Sequence, residues 1–449
     1  MVSIAKALEN IKHNPLDVLN RQTIEQLCRE QGHEWREREL DPTTTIALFL
    51  QQIVHGNVPC TEVPLLARKG FTASAYCQAR SRLPLKVCQA LVTLAADQAR
   101  PVTGEAQHLW HGLRVWIIDG STFSMPDTPE LRKAFGLPSG QAKDCGFPVA
   151  RLMVLFSAST GLLLGVSATA GRTGELSQVS LMHLRAGVGD LFMGDTLYGS
   201  YAHLALLLQG KQHGLFPMHQ KRIVDFTPHR PFAKEGVKGP AGLPRSEWIQ
   251  SLGWRDQLVR YFKPREKPSW MSREQYAALP ESIVVRELRR TVRRKGMGEV
   301  TVTIVTTLTD AAKHPAKELV DLRLQRWEVE TNLAHLKTTM GLDVLKCKTE
   351  AGVRKELCMF ALAYNLVRAV MLEAARRQDV PVKRVSFSNA LKWMRHARPG
   401  DALPKLLVNP RRPDRVEPRC KKRRPKQYDL MRKPRRVLQE ILRKKAKKA

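Results

Sequence analysis

The sequence predicts an α/β protein: a mixed sheet covered by helices, with a helical region before it, a mainly β insertion inside it and a basic tail after it. Three observations carry that expectation. Five apolar runs of strand length lie between residues 114 and 219, with helical patterns between the later ones. Residues 220 to 312 are rich in Pro, Gly, Arg and Lys and then alternate apolar with polar. Before about 105 and after about 313 the apolar spacing is helical. The expected divisions are a helical N-terminal region over 1–105, the first part of the sheet over 106–219, the insertion over 220–312, the rest of the core over 313–380 and a basic region over 381–449.

In the first region, Thr43-Thr44-Thr45 leads into Ile46-Ala47-Leu48-Phe49-Leu50, and a further helix starts at Ser74 and runs towards Val87 and Leu91. Arg68, Lys69, Arg80, Arg82 and Lys86 lie among these helices. They read equally as a small DNA-binding module or as a helical cap on the core, because no recognition helix has a sharp signature.

The sheet begins with strands at Arg114–Asp119, Ala150–Ser157 and Leu162–Ala168. A helix opens at Gly174-Glu175-Leu176-Ser177 and runs to about Ala186, then come a strand at Asp190–Asp195, a helix over Ala202–Gln209 and a strand at Gly214–His219. Three strands, helix, strand, helix, strand is the order of a ribonuclease H-like mixed sheet. In that arrangement Asp119 and Asp195, at the ends of the first and fourth strands, lie side by side at one edge. The stretch Leu152 to Ala170 carries no charge, but Ser157-Ala158-Ser159-Thr160-Gly161 divides it like a turn, which makes it two buried strands and not a membrane span.

In the insertion, Ile283–Leu288 and Val300–Val305 flank the turn-like Arg294-Lys295-Gly296-Met297-Gly298. Its tryptophans Trp248, Trp254 and Trp270 each read first as a core or surface anchor.

A helix is expected from about Pro315 to Met340. At about 100° per residue, with Arg326 at zero, Glu330 falls near 40°, Lys337 near 20° and Arg323 near 60°. One carboxylate and three cations therefore share a face. Taken alone, Arg326 and Glu330 make an ordinary ion pair at four-residue spacing. With two strand-end aspartates upstream, the functional reading prevails. Two strand-end Asp and a helix Glu can converge on a pair of divalent metal ions and leave positions open for a phosphate. Glu328, about 200° from Glu330, is a poor substitute. Asp127, Asp144 and Asp190 read as turn, loop or cap residues, and the thirteen histidines contain no HExxH.

The chain carries 74 Lys+Arg against 42 Asp+Glu, net +32, which favours polyanions through counterion release. Residues 411–449 contribute +14, leaving +18 on the rest, so the body is basic in its own right. In such a chain the phosphate is most simply that of nucleic acid. The eight cysteines are scattered without CxxC spacing, which argues against a zinc site or a disulfide framework. Residues 1–6 do not open a signal peptide, and the expected location is the cytoplasm, at the nucleoid, with no membrane partner.

These residues fall into a known pattern. Arg326, Glu330 and Lys337 have the spacing of the signature in DDE transposases of bacterial insertion sequences, and the chain resembles the insertion sequence four family with its YREK motif. Asp119-Gly120-Ser121-Thr122 resembles the first-Asp motif and Gly194-Asp195-Thr196-Leu197-Tyr198-Gly199-Ser200 the second. Thr306–Asp310, Ala363–Arg368 and Arg415–Arg419 also look familial, and the match spans about 112–435. Two positions depart: Arg323 stands where the signature has Tyr, and Thr196 where many relatives have Arg.

The resemblance implies a cut-and-paste transposase that binds the terminal inverted repeats of its own element and cleaves and transfers strands, with hairpin-ended DNA as an intermediate. Such an intermediate implies that the insertion helps hold a displaced base, with Trp248, Trp254 and Trp270 as stacking candidates, each secondary to its reading as an anchor. It implies catalytic, metal-binding Asp119, Asp195 and Glu330 with two Mg²⁺ (or Mn²⁺) ions, and DNA-binding Arg323, Arg326 and Lys337. It implies as partners double-stranded DNA, at both terminal repeats and target, and a second copy of the chain. The rival readings are a ribonuclease H-like nuclease or resolvase that cuts without joining, and a decayed transposase that only binds DNA. Residues 340–400, with the apolar Leu357–Leu372 and Ala390–Met394, read equally as a dimer interface or as core.

Overall fold

The computed structural model describes residues 19–67, 70–99, 109–138, 142, 144–233, 242–294, 298–397, 401–408 and 433–446. Residues 1–6, Arg68, Lys69, the turn at 295–297 and the motif at 415–419 lie outside the described residues.

Nine strands form one sheet: β1 Val115–Ser124, β2 Val149–Ser157, β3 Leu163–Ala170, β4 Leu191–Met193, β5 His213–Pro217, β6 Ser246–Gly253, β7 Asp256–Phe262, β8 Ser282–Arg294 and β9 Gly298–Thr306. Their order is β3-β2-β1-β4-β5-β9-β8-β7-β6. β1 pairs antiparallel with β2 and parallel with β4, and β4 is parallel to β5. The first five strands thus take the expected arrangement. One boundary differs, because Asp119 does not end β1: the strand continues to Ser124, held by β2 along its whole outer side.

The insertion is mainly β, as expected, and β9 pairs antiparallel with β5, so its strands extend the same sheet. The register makes one row across the sheet. Pro217 is opposite Ile304, Ile304 opposite Leu288, Leu288 opposite Asp256 and Asp256 opposite Gly253. Beyond Leu288 the β8–β9 hairpin continues past that row, carrying Arg289, Arg290, Arg293 and Arg294.

The helices before the sheet are α1 Arg21–Glu30, α2 Pro42–Val54, α3 Val63–Ala67, α4 Ala73–Arg82 and α5 Leu85–Ala99. The Asp41 side chain caps α2 by accepting from Thr44 N at 2.6 Å. Ile24, Phe49, Ile53, Val87 and Leu91 bury in one cluster with Ile117, Phe360 and Val367, so these helices share the core of the sheet. Arg80 is tied inward, donating to Gln52 at 2.9 Å and to Cys347 Sγ at 3.0 Å, while Arg82 and Lys86 are exposed.

Short helices α6 Pro129–Phe135, α7 Val179–His183, α8 Tyr201–Gln209 and α9 Arg273–Ala277 follow. The helix expected from Gly174 to Ala186 is instead a 3-10 turn, Glu175–Gln178, leading into α7. The remaining helices are α10 Ala316–Leu324, α11 Trp327–Ala334, α12 Glu350–Arg377, α13 Phe387–His396 and α14 Arg435–Ala446.

The continuous helix expected over 315–340 is broken between α10 and α11. The amides of Gln325, Arg326, Glu328 and Val329 bond to carbonyls three residues back, which tightens the chain locally to 3-10 geometry. A π turn, His335–Thr339, then ends the helix. Both changes alter the phase that a uniform 100° step assumes.

Among the described residues α12 alone is long and apolar enough to cross a membrane, and its apolar window is completely buried. Ala390, Leu391 and Met394 are buried in the same cluster as α12, so both segments are core. Asn365 ties α12 to the sheet, accepting from Leu163 N and donating to Leu163 O, both at 2.8 Å.

Inside the sheet, Arg286 on β8 is fully buried and meets Asp256 on β7 through two bonds of 2.8 and 2.6 Å, while donating to His314 O at 2.7 Å. Removing one partner of such a pair strands a charge in low dielectric. Asp256→Ala is expected to lower the unfolding free energy by about 3–5 kcal/mol, measured by denaturant titration.

Candidate active site

The parallel register of β1 and β4 builds the site. Ile117 pairs with Met193, and Asp119 and Asp195 each lie two residues further on, which brings Asp119, midway along β1, to the level of Asp195 just past the carboxyl end of β4. That level is the row that runs through Pro217, Ile304, Leu288 and Asp256. Asp119 shares the face of Ile117, and Ile117 packs in the cluster that holds Val329, Leu333 and Leu336 of the helix above. Glu330 therefore approaches from the same face as Asp119.

Arginines fill the space among the three acids. Arg326 Nη1 lies 3.9 Å from Asp119 Oδ2, and its Nη2 lies 3.3 Å from Glu330 Oε1. Asp195 and Glu330 both act electrostatically on Arg323, whose pKa is nonetheless pushed down to about 10, first by burial and then by Arg326. The Nε groups of Arg323 and Arg326 are buried without a hydrogen-bond partner. Lys337 donates to Ser121 Oγ at 2.9 Å and pairs with Asp343 at 3.1 Å. The three predicted cations therefore all reach this end of the sheet, despite the broken helix.

Asp119 is only 16% exposed, and burial pushes its carboxyl up to about 6, with Asp195 and Glu175 adding in the same direction. The Gly120 amide and Arg326 pull the other way. Asp195 caps the turn that follows it, accepting from Leu197 N at 2.8 Å. Glu330 is half-exposed.

Carboxylate oxygens are the donors that hard divalent cations take. Here a buried anion beside a second carboxylate is balanced by a guanidinium, which occupies the place of a positive charge, so the donor set fits a divalent cation. Among the described residues no three His, Cys, Asp or Glu groups converge closely enough to hold an ion. The Glu330 carboxylate is engaged instead by Arg326.

Other sequence candidates separate cleanly. Glu328 faces Lys383 and Arg368 rather than the acids. Asp127 bonds Arg132 through both carboxylate oxygens, and Asp144 sits in a turn at positive φ. Asp190 is buried at the opposite end of β4, where Arg114, the Trp116 indole and the Gly187 amide donate to it. It lines a cavity of about 320 Å³ with Leu113, Val115 and Leu164, away from the acids.

The three tryptophans differ in setting. Trp248 is half-buried against His229, and Trp270 packs on the core. Trp254, at the β6–β7 turn, is 68% exposed, with the guanidinium of Arg255 4.5 Å and that of Arg290 5.6 Å from its ring centre.

Sequence reasoning missed Glu175 and Tyr198 as members of the site. Their signal was the pair of glycines beside the aspartates. A Cβ on Gly120 would collide with the Glu175 carboxylate, and one on Gly194 with the Tyr198 ring.

Acids from two sheet ends and a helix, set in a basic chain, are the framework of a DDE-type phosphoryl-transfer enzyme acting on a polyanion. The chain belongs to the transposase DDE domain family, whose model matches residues 110–366. It is similar to the transposase InsG for insertion sequence element IS4 of Escherichia coli strain K12, 27% identical over 406 residues, which cover 85% of this chain and 84% of InsG. InsZ of the same strain is 29% identical over 186 residues, 41% of this chain and 59% of InsZ. Among solved structures, the piggyBac transposase synaptic complex with hairpin DNA matches at a TM-score of 0.44 and 10% identity, covering 86% of this chain and 80% of that one. Members of this family are DNA-cleaving and strand-transferring enzymes that use divalent metal ions.

The raised Asp119 pKa has a consequence for stability. Ionising this carboxyl costs more in the folded chain than in the unfolded one, so without metal the penalty is full above about pH 6 and vanishes as pH falls towards about 4. Asp119→Asn is expected to stabilise the metal-free protein at pH 7.5 by on the order of 1–3 kcal/mol. Melting curves across pH should show that gain fading below pH 6.

Proposed function

We propose that this transposase acts on the terminal inverted repeats of its own element by cut-and-paste chemistry, with Asp119, Asp195 and Glu330 holding two Mg²⁺ ions. The observation that carries this reading is the shared level of Asp119 on β1 and Asp195 just after β4, with Glu330 above them on the same face. Held by these three carboxylates, the ions would lower the pKa of the attacking water or 3′-hydroxyl and stabilise the leaving oxygen.

The remaining steps belong to the chain's own residues. Asp119 and Asp195 bring two carboxylates to one level of the sheet, and Glu330 closes the set when Arg326 releases it. The orphaned Nε groups of Arg323 and Arg326 lie beside that charge and suit phosphate oxygens, to which a guanidinium presents paired donors. DNA arriving gives Arg326 a phosphate in exchange for Glu330. Lys337, anchored by Ser121 and Asp343, is a point charge for a neighbouring phosphate. Arg323 supplies a second cation where the signature's tyrosine would give a ring and a hydroxyl.

The basic β8–β9 hairpin projects from the same end of the sheet and suits the flanking duplex. Trp254 stands at its base, five strand spacings from Asp195, roughly 24 Å. A base stacked there belongs to DNA flanking the scissile phosphate and not to the reacting nucleotide. Joining two ends at one target calls for two copies of the chain, and hairpin-ended DNA is the intermediate that releases the element.

The test is cleavage of a DNA fragment bearing the element's terminal repeat, in Mg²⁺. Glu330→Gln should lose cleavage by at least about a hundredfold while retaining binding in a gel-shift assay. Tight repeat binding without cleavage by the unaltered protein would leave only a DNA-binding role. Arg326→Ala should weaken binding of the repeat end and flatten its salt dependence by about one counterion. Trp254→Ala should slow hairpin formation more than the first nick, read by denaturing gel.

A further inference from the structure

Beneath the aspartate pair lies a fourth carboxylate. Glu175 opens the 3-10 turn after β3 and sits on the face of the sheet opposite Asp119, against the backbone at Gly120, where any side chain would displace it. Two partners fix it there. Arg151 on β2 donates to Oε1 at 2.9 Å, and the Tyr198 hydroxyl donates to Oε2 at 3.3 Å. Tyr198 is itself fully buried and packs where Gly194 lacks a side chain. The glycines on either side of the acid level, Gly120 and Gly194, thus make room for one connected group, Glu175 with Tyr198.

A surface ion pair with Arg151 would need neither glycine nor the buried tyrosine. The arrangement instead brings a carboxylate against the peptide that follows Asp119, one residue along β1 from it. We infer that Glu175 is a positioning residue of the active site, pinned under Gly120 by Arg151 and Tyr198, whose negative charge strengthens the hold of Asp119 and Asp195 on a divalent cation. This inference rests on the metal-binding reading proposed above. It gives Glu175 no contact with DNA and no part in proton transfer.

The experiment is Mn²⁺ binding to the full-length, DNA-free protein, followed by electron paramagnetic resonance, beside the Mg²⁺ dependence of end cleavage. Glu175→Gln keeps the shape and removes the charge. It should weaken Mn²⁺ binding by about tenfold and raise the half-saturating Mg²⁺ concentration to match, with the maximal rate at saturating metal within about threefold of wild type. Glu175→Asp should restore most of the affinity. A lower melting temperature with unchanged Mn²⁺ affinity would mark a purely structural role and overturn the inference.

Tyr198→Phe, which removes only the aiming hydrogen bond, decides the matter if Glu175→Gln does not fold. Weaker Mn²⁺ binding by about twofold to threefold supports the inference, and wild-type affinity overturns it. Asp119→Asn separates the two levels of failure. If it abolishes Mn²⁺ binding while the Glu175 variants leave binding untouched, only the role of Glu175 falls. If Asp119→Asn also binds like wild type, the metal-site reading falls with it.

Discussion

Two like charges held at one level of the sheet are the constraint around which this structure is organised. Parallel pairing of β1 with β4 brings Asp119 and Asp195 to one level, because each lies two residues beyond the same paired rung. Burial raises the pKa of the Asp119 carboxyl, and the charge of Asp195 adds in the same direction. The chain answers with cations from the facing helix, Arg326 between Asp119 and Glu330 and Arg323 close by. An arrangement in which like charges are forced together and only partly neutralised stores affinity for a positive ion or for the groups that accompany one.

That balance also accounts for how the helix above the site is built. A regular helix would carry its cations and Glu330 at a fixed phase. The tightened turn at residues 325–329 and the π turn at 335–339 instead allow two segments to be aimed separately. Lys337, within the π turn, reaches Ser121 on β1, two residues beyond Asp119. Irregular helical turns cost hydrogen-bond quality and persist where the neighbouring contacts require them.

The insertion strengthens the sheet that it interrupts. By pairing β9 with β5 it makes the strand that follows the second aspartate an interior strand, and the buried Arg286–Asp256 pair with its bond to His314 joins two inserted strands to the approach of α10. Rigid support on that side and the buried α12 beneath the other strands fix the frame against which the acids are placed. The same strands carry a basic hairpin and Trp254 out beyond the acid level, so one insertion both braces the core and widens its basic surface.

Strand and helix types, the order of the first five strands, the basic character and the positions of three candidate acids were legible in the sequence, because apolar periodicity, net charge and motif spacing are local or additive properties. Arg326 and Lys337 reach the acid side although the tightened turn and the π turn change the phase from which the sequence placed them. The tertiary structure alone decided that the insertion continues the same sheet, since strand pairing between β5 and β9 joins residues nearly ninety positions apart. It alone decided where the helix breaks and which tryptophan is exposed, because these depend on what packs against them. Glu175 was invisible for the same reason: its place under Gly120 is fixed by two glycines, a tyrosine and an arginine from three separate strands and turns. Long-range contact, which no local pattern encodes, brings them together.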